Sequence, residues 1–162
     1  MTEGFITKRE GAFLHVTIDR ADEGNRVTDP MLDGLAAIVD DASSDPDLKG
    51  IVLRGAGADF CHGRLQGTPP PEGKPNNAFE IHERVMSRIL GVYAAFRRCP
   101  APIIAVIQGK ALGFGCALVG GLAAWQCRCP PPGGLCASCA RRAIPPPRVC
   151  ARLDRLEDRL YM

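Results

Sequence analysis

The groups of this chain that could take part in chemistry are the backbone amides of a glycine-rich turn. Residues 102–121 read PIIAVIQGKALGFGCALVGG: an apolar run, glycines at 109, 113 and 115, and a second apolar run. Glycines let a backbone turn tightly and approach a ligand closely. A helix starting there would present amides that lack intrahelical partners, and such amides can stabilise negative charge on an oxygen. From spacing alone, a ligand-facing turn and a purely structural turn stay equally open.

Two phosphate-binding patterns do not fit this turn. The dinucleotide fingerprint G-x-G-x-x-G needs a glycine three residues after Gly115, where Leu118 stands. The phosphate loop of nucleotide hydrolases needs Gly-Lys-Ser/Thr, which does not follow these glycines. The sequence therefore does not predict a nucleotide-phosphate site here.

A second segment has the same organisation. Residues 50–67 read GIVLRGAGADFCHGRLQG, in which an apolar strand at 51–53 is broken by Gly55 and Gly57. Residues 60–64 then form another tight turn, which comes earlier in the chain than the one at 109–115. Two strands thus end in two glycine turns, and a predicted helix lies between them in the chain.

The elements that must position these turns are predicted from periodicity. Leu14, Val16 and Ile18 alternate with polar residues, which is typical of a half-buried strand, whereas the apolar run 103–107 predicts a strand buried on both faces. Asp29 as N-cap with Pro30 in the first turn predicts a helix over 30–42. A further helix is predicted over 78–98, with one apolar side formed by Phe79, His82, Val85, Ile89, Tyr93 and Phe96.

Three segments together resemble the enoyl-CoA hydratase/isomerase family, the crotonase superfamily. Residues 60–65 are similar to its FCAGxDL phrase, residues 109–118 to its GxALGGGxEL phrase, and residues 19–28 to its RP..NAL opening. They occur in family order, and the resemblance covers roughly residues 5–121. It implies an α/β fold of repeated β-β-α units, with the C-terminal part missing or aberrant in this chain.

The resemblance also implies a chemistry. The substrate would be an acyl-coenzyme A thioester, whose carbonyl oxygen is held in an oxyanion hole by the backbone N–H groups of Arg64 and Phe114. Coenzyme A arrives as part of the substrate, and no metal or other cofactor is implied. The intact family form implies a homo-oligomer, a trimer or hexamer, in fatty acid metabolism. The residues that would line the substrate path are Asp22, Glu23, Cys61, Gly63, Arg64, Leu65, Leu112, Gly113 and Phe114.

The chain departs from the family pattern at the positions that handle protons. Ala117 stands where hydratases carry a glutamate, Leu65 replaces an aspartate, and no downstream "PE" phrase supplies the second carboxylate. Phe114 replaces the middle glycine and is expected to narrow the pocket. A hydratase needs a carboxylate for the proton of water and of the α-carbon. An inactive form of the enzyme therefore stays open, as does a non-catalytic acyl-CoA-binding or oligomerisation fragment.

The composition changes at about residue 122. Residues 122–162 hold five of the eight cysteines and two proline triplets, so we predict a core domain over 1–121 and a Cys/Pro/Arg-rich tail that is disordered. A reading-frame shift near codon 122 is our preferred hypothesis. A zinc site is the rival, but its cysteine pairs have atypical spacing and a short spacer. Its ligands would be Cys127, Cys129, Cys136 and Cys139.

Charge and hydropathy exclude other classes of function. The net charge is only +2, and no basic stripe is interleaved with aromatics, so nucleic acid is not an expected partner. No apolar run approaches 20 residues, so no membrane span is predicted. We expect a cytoplasmic protein, because no apolar secretion segment follows the N-terminus, and Cys61, Cys99 and Cys116 as reduced core or pocket residues.

Overall fold

The computed structural model describes residues 3–65 and 77–122, together with the backbone of 124–128. Its centre is a five-stranded sheet in which the strands lie side by side in chain order. The first two strands form an antiparallel hairpin, and every later strand pairs parallel with its predecessor. The strands are β1 (Phe5–Glu10), β2 (Phe13–Ile18), β3 (Gly50–Gly55), β4 (Ile103–Gln108) and β5 (Ala124–Arg128).

Helices occupy the crossovers of the parallel strands, as parallel pairing requires. Helix α1 (Asp29–Ser43) connects β2 to β3, and α3 (Ser87–Arg98) precedes β4. These two helices pack against each other. The shorter elements are a 3₁₀ turn (Ala21–Glu23), α2 (Ala78–Ile81), a π-helical segment (His82–Met86) and α4 (Phe114–Gly120).

The strand predictions hold with one correction. In β2, Val16 and Ile18 are completely buried, which confirms the alternation. In β4, Ile103, Ala105 and Ile107 are buried, but the residues between them are only half-buried. The prediction of a strand buried on both faces was therefore wrong for one face of β4.

Helix α1 begins one residue earlier than predicted. Its N-cap is Thr28, in an extended conformation with φ of −95°, and Asp29 is already helical. No side chain caps this end of the helix. The prediction of Asp29 as N-cap was wrong, because the helical backbone already includes Asp29; its carboxylate bonds instead to the Arg64 guanidinium. The buried face of α1 is formed by Met31, Leu32, Leu35 and Val39.

The helix predicted over 78–98 is three consecutive pieces, α2, the π-helical segment and α3. A π-helical turn inserts an extra residue and shifts the faces that follow. Within α3, Val92, Ala95 and Phe96 are buried as a helical period requires. Phe79 was placed on the buried side and is instead 73% exposed.

Strands β3 and β4 are adjacent and parallel, so the turns that follow them leave the same edge of the sheet. In open α/β sheets, the carboxyl ends of the strands are where ligands bind. In the described portion of the chain, no helix has the length and apolar character that crossing a bilayer would demand. Strand β5 lies within the segment assigned to the tail, and the rest of that tail lies outside the described residues.

Candidate active site

In chain order, residues 60–65 are the first turn and residues 109–114 the second turn. The two turns lie side by side and are hydrogen-bonded to each other. The amides of Phe60 and Cys61 both donate to the Lys110 carbonyl, each with an N···O distance of 3.1 Å. In return the Leu112 amide donates to the Cys61 carbonyl at 2.9 Å. The two turns that the sequence predicted separately therefore form one structure.

The other side of the first turn is also occupied, by the segment that precedes α1. The His62 amide donates to the Gly24 carbonyl at 2.8 Å, and the Val27 amide donates to the Gly63 carbonyl at 3.0 Å. The Leu65 amide then donates to the Val27 carbonyl at 2.8 Å. Residues 60–65 are thus the middle of three short, hydrogen-bonded segments.

This ladder fixes the direction of the Arg64 amide. Val27 and Arg64 form a parallel bridge, in which the carbonyl before Arg64 and the amide after it both point toward Val27. Because successive peptide groups of an extended strand alternate in direction, the N–H of Arg64 itself points to the opposite side. That side is the one where the second turn lies.

The Phe114 amide stands at the corresponding place in the second turn. Phe114 is the first residue of α4, and the bonds that start this helix run from Gly115 to Leu112 and from Ala117 to Gly113. Within the part of the chain that the structure describes, neither the Phe114 amide nor the Arg64 amide donates a hydrogen bond. Two unused donors are thus available at the junction of the turns.

Gly63 is what allows the turns to approach. A Cβ on Gly63 would lie 3.2 Å from the Leu112 carbonyl oxygen and 3.6 Å from the Phe114 nitrogen. Its φ of +113° also lies in a region that favours glycine. Gly63 therefore satisfies both a backbone conformation and a close contact.

The Arg64 side chain forms an ion pair that the sequence analysis did not predict. Its Nε donates to Asp29 Oδ1 at 2.7 Å, and a second guanidinium nitrogen lies 2.5 Å from the same oxygen. The two side chains are only 13% and 19% exposed. Arg88 of α3 lies 3.6 Å from the other Asp29 oxygen, so this carboxylate connects the first turn to two helices.

Asp59 was also missed, and it contacts both turns. Its Oδ2 lies 2.7 Å from His62 Nε2, and its Oδ1 accepts the Lys110 backbone amide at 2.8 Å. Burial alone would raise the pKa of Asp59, but the hydrogen bonds from Lys110 and His62 outweigh it and lower the pKa below its usual value. The carboxylate is therefore held in its charged form.

Asn25 joins the loops beneath the first turn. It is completely buried and has a φ of +54°, a left-handed conformation that Asn tolerates better than most residues. Its side-chain amide donates to the carbonyls of Ala56 and Asp59, and its side-chain oxygen accepts the Arg20 amide. In the sequence analysis, Asn25 appeared only within residues 19–28, which resemble the opening phrase of the family, and no role was predicted for it.

The residues predicted to line a substrate path divide between surface and interior. Asp22 and Glu23 are exposed on the 3₁₀ turn, and Gly113 and Leu112 are exposed in the second turn. Leu65 is half-buried, whereas Cys61 and Gly63 are buried between the two flanking segments. The turns therefore offer surface residues on both sides of the junction.

The Phe114 side chain is 9% exposed and belongs to the hydrophobic core. This placement argues against a ring that projects into an open pocket and narrows it. Ala117, one turn further along α4, is exposed and carries no group able to transfer a proton. Burial raises the pKa of the Cys61 thiol, which keeps it in the neutral form.

Two surface depressions, with volumes of about 270 and 490 Å³, lie at the amino end of β4 around Pro100 and Pro102, away from the glycine turns. Neither is lined by residues of the turns. Across the described ranges, no group of three His, Cys, Asp or Glu side chains could hold a metal ion. The four cysteines of the alternative zinc site lie in the segment whose side chains are not described.

Comparison with known proteins gives consistent results. The enoyl-CoA hydratase/isomerase family profile matches residues 8–123. A protein of Mycobacterium tuberculosis named "Probable enoyl-CoA hydratase EchA14" is 34% identical over 101 residues, which is 62% of this chain and 37% of that protein. The rat mitochondrial Delta(3,5)-Delta(2,4)-dienoyl-CoA isomerase is 27% identical over 123 residues, covering 70% of this chain and 37% of the isomerase.

A solved structure shows the same fold. The crystal structure of an enoyl-CoA hydratase from Mycobacterium avium subsp. paratuberculosis superposes with a TM-score of 0.64 and 25% sequence identity. The match covers 77% of this chain and 47% of that structure. The predicted fold class is confirmed for the described residues, and the chain spans less than half the length of the relatives it matches.

Proposed function

Because the chain belongs to the enoyl-CoA hydratase/isomerase family, we propose that it binds an acyl-CoA thioester and polarises the thioester carbonyl with the amides of Arg64 and Phe114. The observation that carries this proposal is the pair of amides at the junction of the two turns, which have no acceptor among the residues that the structure describes. Relatives that share this family are named as enoyl-CoA hydratases and dienoyl-CoA isomerases.

The two amides would act on charge that develops during reaction. When an enolate or tetrahedral species forms, the thioester oxygen gains negative charge, and fixed N–H donors stabilise it without reorganising. One such donor contributes on the order of 3 kcal/mol to the transition state. The ladder on both sides of residues 60–65 supports this proposal, since a donor must be fixed in place before it can stabilise charge in this way.

Proton transfer is the part of the family reaction that this chain is least equipped to perform. Ala117 offers no carboxylate on the exposed side of α4, and Leu65 offers none after the first turn. We therefore propose efficient polarisation of a bound thioester with slow or absent hydration.

A second candidate is a non-catalytic acyl-CoA-binding or oligomerisation fragment. The missing carboxylates favour binding without turnover. Exposed apolar side chains on consecutive helical segments favour self-association, namely Phe79, Met86 and Leu90. Light scattering after gel filtration measures the assembly directly. A trimer or hexamer and a cytoplasmic location both stay predictions.

The test uses a thioester that reports polarisation without turnover. The absorption band of 4-(dimethylamino)cinnamoyl-CoA moves to longer wavelength when its carbonyl oxygen accepts hydrogen bonds, because charge flows from the amine to that oxygen. We expect saturable binding with a red shift, and little hydration of crotonyl-CoA. Binding without a shift would support the non-catalytic binding candidate, and no binding at all would contradict both acyl-CoA-binding proposals and leave the oligomerisation fragment.

A further inference from the structure

We propose that Asp59 is a positioning residue that sets the spacing between the Arg64 and Phe114 amides by linking the two turns through a single carboxylate. This inference rests on the proposed function, because spacing matters only if both amides bind one oxygen. Asp59 would act through the two turns and would not itself touch the substrate.

The carboxylate contacts one residue from each turn. On the first turn it bonds to the imidazole of His62, with Oδ2 and Nε2 2.7 Å apart. On the second turn it accepts the Lys110 amide at 2.8 Å. His62 precedes the first proposed donor by two residues, and Lys110 precedes the second by four. Each oxygen of Asp59 thus fixes one residue, His62 or Lys110, that lies a few positions before a proposed donor in the chain.

The backbone at Lys110 is held on both sides of its Cα. Its carbonyl accepts the amides of Phe60 and Cys61, while its own amide donates to Asp59. These two groups belong to successive peptide groups, so without the carboxylate the peptide group that carries the Lys110 amide could rotate. The carboxylate removes that freedom, and a bond to an ionised acceptor is stronger than one to a neutral carbonyl.

Gly109 shows how closely the second turn lies against this carboxylate. A Cβ on Gly109 would collide with Asp59 Oδ1 and with the Ala58 carbonyl oxygen. The φ of Gly109 is +57°, so an L side chain would also be strained there. The position of the Asp59 carboxylate therefore depends on a residue without a side chain at 109.

The His62 ring is held in place by contacts on both of its sides. Its Nε2 faces Asp59, and a Cβ on Gly24 would lie 2.5 Å from its Nδ1. The His62 backbone amide also bonds to the Gly24 carbonyl. The ring is thus placed between Asp59 and Gly24, which suits a structural partner of the carboxylate.

The experiment compares Asp59→Ala, Asp59→Asn and a matched control. Asn can accept the Lys110 amide and donate to His62, so Asp59→Asn should keep both bonds. Asp40→Ala removes an exposed carboxylate that pairs with Arg98 on the helices, and it controls for charge. The readouts are the red shift and the dissociation constant of 4-(dimethylamino)cinnamoyl-CoA, and hydrogen exchange of the Lys110 amide by NMR.

We expect Asp59→Ala to lose about half or more of the red shift at saturation, because two donors would no longer converge on one oxygen. Its affinity should fall by less than about tenfold, since contacts to the rest of coenzyme A are unchanged. Asp59→Asn and Asp40→Ala should both give the full shift. Exchange of the Lys110 amide should accelerate in Asp59→Ala alone.

A full red shift in Asp59→Ala would overturn the proposal, as would unchanged exchange of the Lys110 amide. If Asp59→Ala does not fold, Asp59→Ser replaces it, because its shorter side chain cannot reach both partners. If the wild-type protein gives no red shift, the proposed function fails. The exchange measurement then still decides whether Asp59 holds the second turn.

Discussion

The two glycine turns are built differently, although they leave the same edge of the sheet. The first turn is hydrogen-bonded on both sides and is further held by the side-chain pairs Arg64–Asp29 and His62–Asp59. The second turn is bonded to the first on one side and continues directly into α4. The first donor is therefore held by side chains within its own turn. The second is held by backbone conformation and by bonds from the neighbouring residues 59–61, including the Asp59 carboxylate.

This difference predicts that different kinds of substitution will disturb the two turns. Side-chain replacements should disturb the first turn, because several of its side chains contact other elements. Leu112 in the second turn and Ala117 in α4 are exposed, so replacing either side chain should have little effect, whereas changes to the backbone or to the glycines should have a large one. Variants of each kind test whether the two turns are held in these different ways.

Gly63→Ala should have the largest effect on the protein. The new Cβ would press on the Leu112 carbonyl and force a left-handed φ on alanine, at a cost of about 1–3 kcal/mol. Because Gly63 lies between the turns, the red shift of the bound thioester should fall together with stability. Chemical denaturation measures the free energy of unfolding, with Gly91→Ala as control because a Cβ there meets no atom within 4 Å. Equal stability in both variants would contradict the close approach.

Arg64→Ala should be milder for polarisation than the loss of a donor, because its backbone N–H remains. It should nevertheless destabilise the fold by about 1–2 kcal/mol, since the Asp29 carboxylate loses a charged hydrogen-bond partner. A double-mutant cycle with Asp29→Ala measures the coupling between the two side chains. Additive effects of the two substitutions would show that the ion pair does not hold the first turn.

The pH dependence of stability should report Asp59. Its pKa is lowered in the folded protein, so its stabilising contribution is fully present above the unfolded pKa of about 3.9. That contribution is lost as the pH falls through the lower folded pKa. Below about pH 4, the stability difference between wild type and Asp59→Ala should therefore shrink as the pH falls further. A difference that grows as the pH falls would contradict the sign of the shift.

Ala117→Glu should have the smallest effect. The position is exposed, so stability should change by less than about 0.5 kcal/mol. It restores a carboxylate at the family's proton-transfer position, but one carboxylate should not suffice for hydration without the second. Crotonyl-CoA hydration measured beside the red shift checks this. A large gain in hydration from this single change would contradict the proposed need for two carboxylates.

The sequence predicted the parts of the site that depend on local pattern. The strands β2, β3 and β4 follow from runs of apolar residues, and the turns follow from glycines at their ends. The convergence of the two turns could be expected once β3 and β4 were adjacent and parallel. The family resemblance gave the same two positions, Arg64 and Phe114, whose role as donors stays a prediction.

The side-chain contacts could not be predicted from pattern. Asp59 bonds to a peptide 51 residues away, and Arg64 bonds to a carboxylate 35 residues away. Such pairs depend on which elements the fold brings together, and neither residue type nor spacing indicates them. The exposure of Phe79 was missed for a related reason, because the π-helical segment after α2 breaks the helical period on which the prediction depended.

The most direct test of the account replaces the second donor. Phe114→Pro removes the backbone N–H at a helix start, where proline is tolerated, and Phe114→Leu alters the same buried side chain but keeps the N–H. With 4-(dimethylamino)cinnamoyl-CoA, we predict a strongly reduced red shift for Phe114→Pro and a near-full shift for Phe114→Leu. Any acyl-CoA turnover should fall about 100-fold in the proline variant. A full red shift in folded Phe114→Pro would contradict the two-amide site.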